Sequence, residues 1–279
     1  MLRNGEYNTL TILRGTSVGF YLGDEEGNDV LLPHKYIPEN AEVGQQIEVF
    51  IYRDSEDRLI ATTLKPLIDL NTFACLHVSG ASRFGAFVDI GLEKELLIPF
   101  KEQHQKLREG DYAVVYLYLD EQTDRLVGSV KVNKFLETEE IDLEEGEEVE
   151  VLLYEKSDLG YNVIVNNRYR GLIYENEIFQ RVAWGEKHWA FVKLIRDDGK
   201  IDISLQQQGF ANVEPNARKI LNMLEQNNGE LPFSDKSDPI AIQAEFEMSK
   251  KTFKKAIGTL YKQKHILIES EGIRLIKDK

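Results

Sequence analysis

The chain repeats itself. Three stretches, beginning near Leu10, Phe73 and Val149, each pass through short apolar segments broken by turn residues. Internal repetition of this kind decides the architecture before any single motif does, because like segments fold into like units. Strands are expected at 10–13, 19–22, 30–33, 44–52 and 59–63 in the first copy. In the second, Ala113, Val115, Leu117 and Leu119 alternate with Tyr112, Val114, Tyr116 and Tyr118, the period of a half-buried strand, and 126–130 returns after a turn. In the third, strands are expected at 149–154, 161–165, 171–174, 190–195 and 200–205, with Asp198-Gly199 as a hairpin turn. Five short strands with a looser link between the third and fourth fit a small closed Greek-key barrel of the OB type.

Past residue 214 the pattern changes. Ile220, Leu221 and Leu224 form a helical face, Pro239 opens a second helix, and Ser249 caps a third at 250–263 whose buried face is Phe253, Ile257 and Leu260. A hairpin follows, 265–269 and 273–276, turning at Ser270 and Glu271. Helices and then a β-wing in this order describe a winged helix. The expected architecture is therefore multidomain and mainly β: three tandem OB-fold β-barrels at 1–66, 67–135 and 143–209, plus a C-terminal winged-helix (α+β) domain at 213–279.

Charge argues against the simplest function for such modules. The net charge is −14, and nucleic-acid binders usually carry a basic footprint. Residues 214–279 hold 12 Lys and Arg against 10 Asp and Glu, a balance of +2, while the remainder holds 22 against 38 and stands at −16. Eight carboxylates between Glu137 and Glu148 read as a solvated linker. The one cysteine, Cys75, is expected to fill a strand position in a chain of the reducing cytoplasm. No apolar run is long enough for a membrane span, and the five histidines (34, 77, 104, 188 and 265) have no metal spacing. Asp197 and Asp198 need no role beyond a turn. Neither an enzyme, a cofactor nor a metal is expected.

The middle repeat resembles the S1 RNA-binding domain. Phe84-Gly85-Ala86-Phe87, Gly91, the run Leu96 to Pro99, Gly110, Asp120 and Arg125 occupy that family's motif positions. Residues 197–205 are similar to its closing strand. Three such modules followed by a winged helix resemble the bacterial CvfB (conserved virulence factor B) family, which implies an RNA-binding regulator of virulence gene expression. The resemblance implies that Phe84, Phe87, Phe100, Asp120 and Arg125, with Tyr174 of the third repeat, contact single-stranded RNA. Phe100 stands beside Pro99, which fills a position often held by His. The physics agrees: single strands are held by stacking on exposed aromatics and by cations near phosphates.

Alternatives remain at each position. Phe84 and Phe87, three apart across Gly85, either splay outward or enter the core. Arg125 meets a phosphate or pairs with Asp124, and a turn one residue longer than usual puts the role of Asp120 in question. Val18 and Tyr21 in the first repeat, and Leu159 and Asn162 in the third, replace the aromatic pair, so those copies read as eroded ligand sites, either scaffolding or protein-contact modules. On the third helix Lys250, Lys251, Lys254, Lys255 and Lys262 are either a phosphate-contacting face or a solvated one, with Gly258 unexplained among them. A second function class is a protein-interaction adaptor docking on the ribosome or transcription machinery. Duplex DNA is the weaker partner, since no Asn, Gln or Arg sits among the lysines for base readout.

Overall fold

Alternating apolar residues select the strands, and the strands close on themselves. Residues 1–206, 215–269 and 272–276 are described in the computed structural model. The chain divides into Met1–Leu205, which holds the repeats, and Gln206–Lys279, which holds the helices. The expected boundary between residues 209 and 213 lies outside the described residues.

In the first repeat β1 (Tyr7–Gly15), β2 (Gly19–Gly23), β3 (Asp29–Pro33), β4 (Gln46–Arg53) and β5 (Leu59–Thr62) close a barrel in the order β1-β2-β3-β5-β4. The second has β6 (Phe73–Ala81), β7 (Gly85–Val88), β8 (Leu96–Pro99), β9 (Tyr112–Asp120) and β10 (Arg125–Ser129), in the order β10-β9-β6-β7-β8. The third has β11 (Glu148–Ser157), β12 (Gly160–Val165), β13 (Tyr169–Tyr174), β14 (Lys187–Ile195) and β15 (Ile201–Ser204), again a closed barrel.

Each barrel begins with the same kink. Register shifts between Ile12 and Arg14 in β1, Val78 and Gly80 in β6, and Leu153 and Glu155 in β11. Such a bulge bends the first strand, so that it pairs with the second strand at one end and the fourth at the other. The shared kink also fixes which residues correspond between repeats. A glycine then opens every second strand. A Cβ on Gly19, Gly85 or Gly160 would lie 2.1, 2.1 or 2.0 Å from the carbonyl oxygen of Leu32, Ile98 or Ile173. Strands two and three approach that closely only where no side chain intervenes.

The second barrel closes differently. In the first and third, strands three and five pair in parallel, Leu31 with Ile60 and Gly171 with Ile201. Among the described residues β8 and β10 form no such ladder. Side chains hold the seam instead. Gln103 Nε2 donates to the Ile98 carbonyl at 2.8 Å, and the buried Ser129 hydroxyl donates to the Glu102 carboxylate at 2.7 Å. The Val130 N–H donates to the Glu102 carbonyl at 3.0 Å.

The fourth strands of the first two barrels carry apolar side chains on both faces. In β4, Val49 and Ile51 enter their own barrel, while Phe50 and Tyr52 join the core of the second. Tyr7 meets Phe50 edge-on at 5.4 Å. In β9, Ala113, Val115 and Leu117 point inward, whereas Val114 and Tyr116 pack with Phe73, Phe135, Leu152, Tyr154 and Ile164 at the junction with the third barrel. The half-buried reading of β9 holds at Tyr112, which is exposed, while Val114 and Tyr116 on the same face are covered by the next module. Cys75 occupies a strand position at this junction, and burial pushes its thiol up.

The acidic link is fixed in place. Its eight carboxylates are exposed, but Ile141 and Leu143 between them pack on the core of the third barrel. Arg168 donates to Glu137 at 2.7 Å, and the Asp142 N–H donates to the Tyr169 hydroxyl at 3.1 Å.

The second unit runs α1 (Pro215–Gln226), β16 (Glu230–Leu231), α2 (Pro239–Phe246), α3 (Lys250–Lys262), β17 (Ile266–Ile268) and β18 (Ile273–Leu275). This is a winged helix. Asp238 accepts from the N–H groups of Ile240 and Ala241, and Ser249 from that of Thr252, so both helices carry the expected caps. Ile220, Leu221, Leu224, Phe246, Phe253, Ile257 and Leu260 form its core, with Ala256 added to the expected face. The turn residues Ser270 and Glu271 lie outside the described residues.

Substituting Gly85→Ala is expected to cost about 2–4 kcal/mol, because the methyl meets a backbone oxygen that cannot swing away. Gly80→Ala, where nothing lies within 4 Å, should cost under about 0.5 kcal/mol. Urea unfolding midpoints of the two variants separate these outcomes.

Candidate functional site

Four of the residues singled out in the second repeat come together. Phe84, Phe87, Asp120 and Arg125 line one cleft of about 620 Å³. Its floor is the seam of the barrel: Leu96, Leu97 and Pro99 come from β8, and Leu126 and Val127 from β10. Its far wall is the first barrel, which contributes Tyr52, Arg53, Ser55 and Asp57. The site is therefore shared between two modules.

Phe84 stands in the β6–β7 turn and is 59% exposed. Its N–H donates to Ser82 Oγ at 3.1 Å, which fixes the turn, and the Arg83 guanidinium carbon lies 4.7 Å from its ring centroid. A cation over an exposed ring leaves the opposite ring face open to a flat partner. Phe87 sits within β7, opposite Gly80 and Leu97, and is half-buried. The pair thus divides its work: one ring projects and the other lines the wall. Phe100 lies outside the cleft lining, on a 3-10 turn beyond Pro99. It is 44% exposed, with the Lys106 ammonium 5.8 Å from its ring.

Asp120 closes the β9–β10 turn. Its carboxylate accepts from the Gln122 N–H at 3.1 Å and from the Thr123 hydroxyl at 3.0 Å. Arg125 does not pair with Asp124. Its Nε and Nη2 donate to the two carboxylate oxygens of Asp57 at 3.0 and 2.7 Å, and this partner holds the Asp57 carboxyl below its usual range. Asp124 pairs instead with Arg53, whose Nε also donates to the Asp124 carbonyl at 2.9 Å. The two equivalent hairpins, β4–β5 and β9–β10, thus exchange an arginine for an aspartate across the junction. Lys94 also lines the cleft. It donates to the Asp54 carbonyl at 2.6 Å, and burial lowers its pKa.

Arg53, Asp57 and Lys94 escaped the reading of the motif because two of them belong to another repeat. The turns themselves do not mark the exchange: 54–58 and 120–125 both begin with Asp and end with Arg, but Arg58 pairs with Asp54 inside its own turn, and the crossing pairs use Arg53 and Asp57 instead.

Tyr174 lies in the third barrel, at the end of β13. Its hydroxyl accepts from Arg196, which also pairs with Asp202, and the Lys193 ammonium lies 6.0 Å from its ring. It is a separate aromatic–cation cluster within that barrel. A groove of about 450 Å³ at the junction of the second and third barrels is lined by the exposed Tyr112 and by Trp184, whose indole N–H donates to the Tyr154 carbonyl at 2.7 Å.

In the winged helix Lys251, Lys254, Lys255 and Lys262 are exposed on α3. Lys250 donates to the Ser237 carbonyl at 2.8 Å, and Lys254 lies 3.5 Å from Asp235. Successive residues step 100° around a helix, so Gly258 falls in the middle of this lysine face. Nothing lies within 4 Å of the position its Cβ would take. Among the described residues no group of three or more His, Cys, Asp or Glu is placed to hold a metal, and no helix is long and apolar enough to cross a membrane.

The chain has clear relatives. The S1 domain family matches residues 4–64 and 72–131, and the CvfB-like winged helix domain family matches residues 218–275. The protein named Conserved virulence factor B from Staphylococcus epidermidis is 30% identical, over 98% of this chain and 94% of its own length. Its namesake from Staphylococcus aureus is 33% identical, over 85% of this chain and 81% of its own. A crystal structure from Streptococcus pneumoniae, described as a multidomain protein with nucleic acid binding domains, is 25% identical over 98% of both chains, with a TM-score of 0.43. Barrels that match the S1 domain, a winged helix that matches this one type, and relatives that follow the chain through both make it a member of the conserved virulence factor B family.

Proposed function

We propose that this chain is a non-enzymatic regulator that holds single-stranded RNA in the cleft between its first and second barrels. The observation that carries this reading is the exposed Phe84 ring. It stands at the mouth of a cleft that also holds Phe87, Lys94 and Arg125. Bases stack on such rings whatever their identity, and cations along the cleft meet the phosphates. The match to the S1 domain supports the same reading. Weak and salt-sensitive binding is expected, because the chain carries a net charge of −14 and two of the cleft cations already have carboxylate partners.

The lysine face of α3 adds a second, sequence-independent grip. Lysines meet phosphates as point charges and read no bases. The glycine among them lets a sugar-phosphate backbone approach closely.

The double variant Phe84→Ala/Phe87→Ala should bind a labelled single-stranded RNA at least about five-fold more weakly, since each stacked base contributes roughly 1–3 kcal/mol. Equal affinity in a fluorescence titration removes the site. Replacing Lys251, Lys255 and Lys262 by Glu should weaken binding evenly across RNA sequences and flatten the salt dependence, by about 0.7 in slope for each phosphate that is no longer neutralised. A change in sequence preference instead would mean that the helix reads bases.

A further inference from the structure

The RNA reading of the cleft leaves one ion pair unexplained. Arg125 is the cation that the S1 motif places beside the aromatics, yet its guanidinium is already engaged. Both donors of one edge, Nε and Nη2, face the carboxylate of Asp57 in a two-pronged arrangement. A phosphate presents the same pair of oxygens to an arginine. Asp57 belongs to the first barrel, in the β4–β5 turn, and lines the same cleft as Phe84 and Phe87.

We propose that Asp57 is a built-in competitor for RNA phosphate at Arg125, so that RNA enters the cleft by exchanging a carboxylate of the first barrel for a phosphate of its own.

Three observations support the exchange. The Arg125–Asp57 pair is exposed, with side chains 56% and 44% accessible. Pairs of this kind contribute little to stability, so opening it does not threaten the fold. The reciprocal pair is built otherwise. Arg53 is only 25% accessible, and its guanidinium also donates to the Asp124 and Asp57 carbonyls, at 2.9 and 2.7 Å. Asn4 adds a donor to the Asp124 carbonyl at 2.8 Å. This second pair keeps the hairpins docked while the first lets go. The backbone at Asp57 supplies the third observation. Its φ of 67° is a left-handed conformation that Asn adopts as readily as Asp. The turn therefore asks for a short polar side chain, while the charge answers Arg125 in direct contact and Arg53 and Lys94 at longer range. Lys94, on the same cleft, is held by the Asp54 carbonyl, so Arg125 is the cation that release of Asp57 presents to the incoming strand.

The proposal rests on RNA binding at this cleft, and the test separates the two. The full chain is titrated into a fluorescein-labelled oligouridylate at several salt concentrations. Asp57→Asn should tighten binding about two- to five-fold and steepen the salt slope by about 0.7, the increment for one further neutralised phosphate. Glu56→Gln removes the same charge from the same turn without touching Arg125, and should give a smaller gain. In an Arg125→Ala background the gain from Asp57→Asn should fall to that of Glu56→Gln. Unchanged or weaker binding by Asp57→Asn, an equal gain from Glu56→Gln, or a gain undiminished by removal of Arg125 would each overturn the exchange. Phe84→Ala/Phe87→Ala is measured alongside. If that variant loses affinity while Asp57→Asn gains none, the competitor fails and the RNA site stands. If it binds as the wild type does, the RNA site itself fails.

Discussion

Burial of the fourth strand on both faces is what the first unit depends on. A five-stranded barrel of this size has a small interior, filled in the first repeat by Leu10, Ile12, Leu22, Leu32, Val49 and Ile51. That leaves the outer faces of its strands to water unless something covers them. β4 and β9 solve this by carrying apolar side chains on both sides. Phe50 and Tyr52 reach the second barrel, and Val114 and Tyr116 reach the third. Fully burying a side chain of this kind contributes about 1.5–3 kcal/mol, so each junction is comparable in strength to a patch of core.

The cleft is a consequence of that docking. Packing Phe50 and Tyr52 on the second barrel brings the β4–β5 turn over the seam between β8 and β10. At the seam the second barrel departs from its neighbours, held by Glu102 with Ser129 and Val130 in place of a parallel ladder. A surface that would be open on an isolated module becomes a walled groove with arginines and aspartates from both sides. The acidic charge of the chain then stops being a puzzle. It sits where it meets solvent, as along Glu137 to Glu148, or where it neutralises cations at the cleft.

Much of this was legible in the sequence because it is local. Alternation gave the strands, Pro239 and Ser249 marked the helix starts, and the resemblance to the S1 domain marked Phe84, Phe87, Asp120 and Arg125 as one surface. What escaped is what depends on two repeats meeting. Nothing within 112–119 says that Val114 and Tyr116 face another module, since an apolar outer face reads the same whether covered or bare. Nothing near Arg125 names Asp57, 68 residues earlier. The link at 137–148 reads as solvated by its charges. Only the packing of Ile141 and Leu143 shows that it is fixed. Pairing between distant segments is set by docking geometry, which leaves no periodic trace.

The stack of barrels has a head and a tail. The shared kink in β1, β6 and β11 places Phe50, Tyr116 and Phe191 at one position of the fourth strand, and Glu48, Val114 and Trp189 at another. In the first two barrels this face is the one handed to the next module. In the third, Trp189 stands 67% exposed. The modules are therefore not interchangeable beads. The first two hand the outer face of their fourth strand to the next barrel, and the second and third supply the surface that receives it. Permuting their order would bare Phe50 and Tyr52 while asking β14 to grip a surface it was never shaped for. A further copy added by duplication after the third would find an aromatic already waiting.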